Sequence, residues 1–465
     1  MKRLEDFWDF KIWGTLNIIA VLLLSLLVAN VLKKTVKFLQ ASLIPTSVLG
    51  GAILVLVAGI YKLITKDGMF DTAFFGGNGT ATLEMVTYHT LALGFIASAF
   101  KTSNSKMTKK RTGEIFNTGV TTVATYLLQA VVGFGISLVT AFFIKDFFQA
   151  AGVLLPFGYG QGTGQALNYG NIYETDFGFV GGKSFGLTIA ALGFISASVG
   201  GVIHLNILKR KGKIKLQKAE EGAMNAEQIQ SENEIPMQES VDKMTIQIAL
   251  IVVAYMVSFL LMYLLGRLLP GMKSVIYGFN FLLGVLSATV IKLCINFFKK
   301  KKLIKKEYTN NFLMTRASNF FYDIMVVSGI AAIRFGDLKG YWGVIIIMGV
   351  AGLIITYVYN HFVAQRLFKE YPEEQFLTMY GMLTGTASTG IILLREIDGD
   401  FKTPAADNLV YQTFPAIVFG FPLMLLATLA PQKPYLTFGI LIVFFIVMNL
   451  ILFRSFIFKR KKKDK

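Results

Sequence analysis

Residues 156–170 read PFGYGQGTGQALNYG, a stretch rich in glycine and side-chain amides inside a chain dominated by long apolar runs. A second glycine-interrupted stretch, FLTMYGMLTGTASTGIILLREID, occupies residues 376–398. Neither stretch would hold one straight helix. Non-helical backbone at membrane depth is tolerated only where protein buries it or where it lines a watery cavity. We therefore predict two re-entrant hairpins, at residues 149–172 and 373–397.

The composition of the chain is that of an integral membrane protein. Its 465 residues are 54% hydrophobic and 16% charged, whereas an average soluble domain is about 25% charged. Apolar runs of about 20 residues, the length needed to cross roughly 30 Å of hydrocarbon, recur along the chain. The predicted fold class is an all-α polytopic membrane protein with about 11 transmembrane helices. The predicted spans are residues 14–32, 44–64, 81–100, 117–144, 185–208, 244–266, 275–298, 318–335, 341–363, 408–429 and 435–457.

Lysine and arginine are concentrated in the connections that follow odd-numbered spans. These clusters are Lys33 to Lys37, Lys101 to Arg111, Lys209 to Lys218, Lys299 to Lys306 and Lys459 to Lys465. Basic connections favour the cytoplasmic side of a membrane, so we predict an outside N-terminus and a cytoplasmic C-terminus. The same clusters account for much of the net charge of +18. A nucleic-acid partner is therefore not expected.

The order of spans and hairpins predicts an internal repeat. Each hairpin follows the fourth span of its half, so five spans plus one hairpin occur at residues 1–208 and again at 244–430. Because five is odd, the second copy enters the membrane from the opposite side, as in the inverted repeats of many secondary transporters. Residues 209–243 form a predicted cytoplasmic linker, and 431–465 add a C-terminal helix and a basic tail.

The two hairpins supply the candidate binding residues. Broken helices offer backbone N–H groups to an anion and carbonyl groups to a cation, and a hard cation such as sodium prefers oxygen ligands. Candidate sodium ligands are Gln161, Thr163, Asn168, Thr384, Thr386 and Ser388. Candidate solute-binding residues are Gly162, Thr163, Gly164, Asn168, Thr386, Ser388, Thr389 and Arg395. The alternative is that the Gly, Ser and Thr residues of the two hairpins only allow helices to pack closely.

Four charged or titratable residues lie near the predicted spans, and two of them have alternative roles. Arg395 would hold a substrate carboxylate through its two-pronged guanidinium, or lie at the cytoplasmic interface and pair with Asp398 or Asp400. Asp323 is either a cation ligand or a carboxylate at the start of its span. His204 and His361 lie near span ends without the spacing of a metal site, and structural roles are expected for both.

Three motifs together resemble the bacterial glutamate:sodium symporter family. They are IPTSVLGG at 44–51, GQGTGQALNYG at 160–170 and GTASTGIILLREID at 385–398. The resemblance implies two inverted five-span repeats, a dimer-forming scaffold domain, a mobile transport domain that carries both hairpins, and coupling to sodium. It also implies a multi-pass protein in the lipid of the bacterial inner membrane, acting as a homodimer.

The predicted function is a sodium-coupled symporter that imports glutamate or a closely related anionic solute by alternating access. Sodium is the expected coupling ion, and no organic cofactor is expected. One alternative is a carrier of the same fold for a di- or tricarboxylate or another amino acid. Another is an ion channel that uses the hairpins as a filter. An enzyme is not expected, because the polar residues include no nucleophile–base pair or metal cluster that the sequence reveals.

Overall fold

The structure is a computed structural model, and it describes residues 8–101, 108–212, 214, 234–237, 240–399 and 402–457. Within these ranges the chain is helical and contains no β-strand. The predicted all-α fold class is therefore confirmed. Most of the predicted linker, the basic tail after residue 457 and Asp400 lie outside the described residues.

The described residues form long helices separated by short turns. In chain order the helices are α1 (Phe10–Thr35), α2 (Lys37–Ala41), α3 (Thr46–Thr65), α4 (Gly79–Phe100), α5 (Lys109–Phe143), α6 (Gly162–Phe177), α7 (Gly182–Arg210), α8 (Lys243–Leu268), α9 (Lys273–Gly278), α10 (Asn280–Lys300), α11 (Asn311–Ala331), α12 (Trp342–Leu367), α13 (Pro372–Thr384), α14 (Ala387–Arg395), α15 (Ala405–Tyr411), α16 (Thr413–Leu429), α17 (Pro434–Leu452) and α18 (Arg454–Ile457). Short 3₁₀ turns lie at Met69–Asp71, Ala73–Phe75, Gln149–Val153, Pro270–Met272 and Phe335–Leu338, and Pro156–Gly160 is π-helical.

All eleven predicted spans coincide with helices. Among the described residues, nine helices are long and apolar enough to cross a membrane, or ten if α15 and α16, which are bent by 50° at Gln412, count as one broken span. The remaining predicted span coincides with α11, which is 21 residues long. Polar residues such as Arg316 and Asp323 keep α11 outside the apolar set. The multi-pass architecture is therefore confirmed.

The chain divides into two compact units, each assembled from separate parts of the sequence. The first unit comprises Met1–Leu32, Thr46–Ser105 and Glu220–Ala332, and the second comprises Lys33–Pro45, Lys106–Ala219 and Ile333–Lys465. Each unit therefore draws on both halves of the chain. The predicted repeats follow the chain order instead, and their inverted relation stays a prediction.

Helix α4 is central to the first unit, where it packs against α10 and α11. It contributes Ile96 and Phe100 to a buried apolar cluster that also contains Ile251 of α8 and Met314 of α11. Lipid tails are as apolar as these side chains, so close packing rather than exclusion from water stabilises such contacts in a membrane.

The position of Asp323 within α11 differs from one of its two positions expected from the sequence. Helix α11 begins at Asn311, and the side chain of Asn310 caps it by accepting a hydrogen bond of 2.7 Å from the N–H of Leu313. Asp323 therefore lies in the middle of the helix, and its predicted place at a helix start is wrong. Its carboxyl group lies near Ser47 of α3.

The second unit is organised around α5, a helix of 35 residues that packs against α12, α16 and α17. It also contacts the 3₁₀ turn Gln149–Val153. A Cβ atom on Gly152 would lie 1.7 Å from the carbonyl oxygen of Gly133 on α5. Only glycine permits so close an approach of two backbones. Gly152, within the first predicted hairpin, therefore allows this turn to pack closely on α5.

Candidate functional site

The first glycine-rich stretch is broken at residues 160–162. The π-helical segment Pro156–Gly160 ends there, and α6 begins at Gly162. Gly162 has φ of +79°, in the left-handed region that glycine adopts without a steric penalty. Gln161 is the residue just before α6, and its side chain makes no capping hydrogen bond to that helix. The first N–H groups of α6 are not used within the helix and face the break.

The second stretch is broken at Gly385 and Thr386, between α13 and α14. Thr386 is extended, with φ of −138° and ψ of 169°, and its side chain makes no capping bond to α14. The two helices pack closely, because a Cβ on Gly381 would lie 2.7 Å from the Cα of Gly390. Both predicted interruptions are therefore present.

The two breaks lie against each other within the second unit. A Cβ built on Gly162 would lie 3.6 Å from the carbonyl oxygen of Gly385 and 3.7 Å from Cγ2 of Thr386. Helix α7 holds both segments, since a Cβ on its Gly193 would lie 2.5 Å from the carbonyl oxygen of Thr384 and 3.3 Å from the Cα of Tyr159. The first turns of α6 and α14 thus begin beside one another.

The predicted site residues differ in their burial and in the hydrogen bonds that their side chains make. Thr163, Asn168, Thr384 and Thr389 are buried, and Gln161, Thr386 and Ser388 are half-buried. The Thr386 and Thr389 hydroxyls lie 3.3 Å apart, whereas the Thr384 hydroxyl donates to the carbonyl of Tyr380 at 2.6 Å. Gly162 and Gly164 open α6, and Asn168 follows Gly162 by six residues, about 9 Å along the helix.

Arg395 lies apart from the breaks. It is exposed, and it is the last residue of α14, about 13 Å along the helix from Thr386. Asp398 accepts hydrogen bonds from the N–H groups of Lys402 and Thr403, at 2.8 and 2.9 Å, which fixes the turn that follows. Arg395 is therefore separated from the first turn of α14, and both roles left open for it stay predictions.

Gln129 of α5 connects the two broken segments, and the sequence analysis did not single it out. Its side chain is fully buried. Its Nε2 donates to the carbonyl oxygen of Leu383 and to the hydroxyl of Thr356, both at 2.9 Å. Its Oε1 has no hydrogen-bond partner in the described structure, and a Cβ on Gly160 would lie 3.1 Å from that oxygen. An amide in the apolar run YLLQAVVG (126–133) is the only signal that the sequence offered.

Gln165 is a second buried amide beside the first break. It lies in the first turns of α6, is 1% exposed, and neither its Oε1 nor its Nε2 has a partner among the described residues. A buried polar group left without a hydrogen bond costs about 1–3 kcal/mol, and each such group in a folded protein needs an explanation. Gln129 and Gln165 are two such residues, on α5 and in the first turns of α6.

An all-α membrane protein with two broken helices that meet in one unit has the architecture of a secondary transporter. The family model described as "Sodium/glutamate symporter" matches residues 10–382. The chain belongs to this family, and it is a multi-pass, sodium-coupled glutamate symporter. The match ends within α13, so the break at Gly385 and all of α14 lie beyond it. A comparison with curated proteins gave no match.

Proposed function

We propose that glutamate and sodium bind together where the two breaks meet. The observation that carries this proposal is the close approach of Gly162 to the Gly385 carbonyl and Thr386. The unpartnered amide atoms of Gln129, close to Gly160, and of Gln165, in the first turns of α6, support it. The arrangement places helix N-termini, backbone carbonyls and buried neutral amides in one place. Those are the groups that a transporter of an anion and a cation needs.

Sodium is assigned to the oxygen atoms at the breaks. The carbonyl of Gly385 faces Gly162, and the Thr386 and Thr389 hydroxyls lie beside it. Gln129 Oε1 is a further buried oxygen, and it has no hydrogen-bond partner among the described residues. All of these are neutral oxygen donors, which suit a hard monovalent cation. A neutral set also leaves the positive charge of sodium available to attract the anionic solute.

The carboxylates of glutamate are assigned to the two helix N-termini. The first N–H groups of α6 and of α14 are not consumed within their helices, and the helix dipole favours negative charge there. Nε2 of Gln165 is a further neutral donor in the first turns of α6. Recognition by backbone groups explains how an anion can bind although Arg395 lies exposed at the far end of α14.

The remaining features of the proposal come from the family resemblance and the charge pattern. The second unit, which contains both breaks, is proposed as the mobile transport domain and the first as the scaffold of a homodimer. The basic connections after odd-numbered spans support an outside N-terminus in a bacterial inner membrane. Sodium is proposed as the coupling ion, with no organic cofactor and no catalytic activity.

Proteoliposomes test this function directly. An inward sodium gradient should drive labelled glutamate above its external concentration, and the same gradient made of potassium should not. Citrate, succinate and neutral amino acids in excess should compete weakly, whereas aspartate, a shorter acidic analogue, should compete better. Uptake that is indifferent to sodium, or flux that never concentrates the solute, would contradict the proposal and favour a channel.

A further inference from the structure

Two histidines and a glutamate that are distant in sequence meet at the base of the second broken segment. His204 lies on α7, His361 on α12 and Glu373 in the first turn of α13. One ligand atom from each lies within 4.8 Å of the other two. Nε2 of His204 is 3.0 Å from Oε2 of Glu373. All three residues belong to the second unit, and Glu373 precedes Gly385 by twelve residues, about 18 Å along the axis of α13.

Further residues hold two of these side chains in orientation. The hydroxyl of Tyr357 hydrogen-bonds Nδ1 of His204 at 2.8 Å, which leaves Nε2 facing Glu373. Gln365 donates from Nε2 to Oε1 of Glu373 at 3.1 Å, which leaves Oε2 facing His204. Metal-binding histidines and carboxylates are usually oriented by such outer hydrogen bonds, because they fix the tautomer and the ring position.

We propose that His204, His361 and Glu373 bind a divalent transition-metal ion of the zinc class. Imidazole nitrogen and carboxylate oxygen are ordinary zinc ligands, at about 2.0–2.2 Å from the ion, which places tetrahedral ligands about 3.4 Å apart. The observed spacing of up to 4.8 Å is closed by small movements of half-buried His361 and Glu373. Three protein ligands leave the fourth position to water or to a further ligand.

The site differs in chemistry from the proposed sodium site. It offers two nitrogen ligands, whereas sodium prefers oxygen, so the two ions do not compete for it. It joins three helices, and one of them, α13, leads to the break at Gly385. A bound ion would tie α13 to α7 and α12. Zinc would therefore restrain the second broken segment and slow transport without occupying the glutamate site.

Metal binding to the purified full-length protein, with any affinity tag removed, tests this inference. Calorimetry should give one zinc site per chain, and cobalt should give the visible absorption of a tetrahedral or five-coordinate nitrogen–oxygen site. His361→Ala should weaken zinc binding at least about 100-fold, and Tyr357→Phe about tenfold, since even outer partners contribute that much. The control is His89→Ala, because His89 lies in the first unit and pairs with Tyr255.

The outcomes separate a metal site from a hydrogen-bonded cluster. Absence of zinc binding up to millimolar concentration, or equal binding by His361→Ala and the wild type, would overturn the proposal. If His361→Ala has a lowered melting temperature without metal, Glu373→Gln is the second variant, because it keeps the shape of the side chain. In membranes, zinc should inhibit glutamate uptake by the wild type and by His89→Ala, and leave uptake by Glu373→Gln unaffected.

Discussion

Replacing Gly193 by alanine should reduce sodium-driven glutamate uptake at least about tenfold, because misplacing a binding constellation by about 1 Å can cost roughly 100-fold. The new Cβ would lie 2.5 Å from the carbonyl oxygen of Thr384 and 3.3 Å from the Cα of Tyr159. Backbone atoms cannot yield to such a contact as a flexible side chain can, so the tip of the second segment must move away from the first. Uptake at saturating sodium into proteoliposomes of equal protein content measures the effect.

The matched control is Gly439→Ala in α17, where a Cβ meets nothing within 4 Å. It makes the same chemical change in the same unit and should keep wild-type uptake and melting temperature. Gly193→Ala should still bind zinc at the cluster near His204, which shows that α7 remains folded. Wild-type uptake by Gly193→Ala would mean that the exact position of the Thr384 carbonyl does not matter for transport.

Replacing Gln129 by leucine should raise the sodium concentration for half-maximal uptake at least about tenfold, equivalent to about 1.4 kcal/mol of binding free energy. Leucine has a similar size but removes the unpartnered Oε1 and both hydrogen bonds of Nε2. It also leaves the buried carbonyl of Leu383 without its donor, so the melting temperature should fall. Sodium titration of uptake at fixed glutamate is the measurement.

Thr356→Val separates the two roles of Gln129. This variant removes one acceptor of Nε2 but leaves Oε1 and the bond to the Leu383 carbonyl in place. Its sodium dependence should stay within about twofold of the wild type, because the variant removes a supporting contact of Nε2 and none of the proposed sodium ligands. Equal effects of Thr356→Val and Gln129→Leu would show that Gln129 acts by supporting the second break and not as a ligand.

The sequence predicted those features that depend on local patterns. Runs of apolar residues predicted eleven spans that all coincide with helices, and interrupting glycines marked both breaks. Asp323 shows the limit of the same reasoning. Its span was predicted to begin at residue 318, yet the helix begins at Asn311 and is capped by Asn310. Capping residues, rather than hydropathy, decided where that helix starts.

Features that depend on contacts between distant residues could not be predicted. Gln129 becomes significant only when α5 places it between Gly160 and the Leu383 carbonyl. His204 and His361 have no metal-site spacing in the chain, and the packing of α7 against α12 brings them together. Which segments belong to each of the two units likewise depends on helix packing, and the order of spans along the chain does not reveal it.

Cross-linking between the two breaks tests whether they form one binding site. Gln161→Cys and Ala387→Cys, the latter at the exposed first residue of α14, would be combined with replacement of the exposed native Cys294 by serine. A short reagent with two thiol-reactive groups, such as a bis-methanethiosulfonate, should join the two positions in membranes, and sodium plus glutamate together should slow the reaction more than either alone. Failure to cross-link, or a rate that does not change with both ligands present, would contradict a shared binding site between the two breaks.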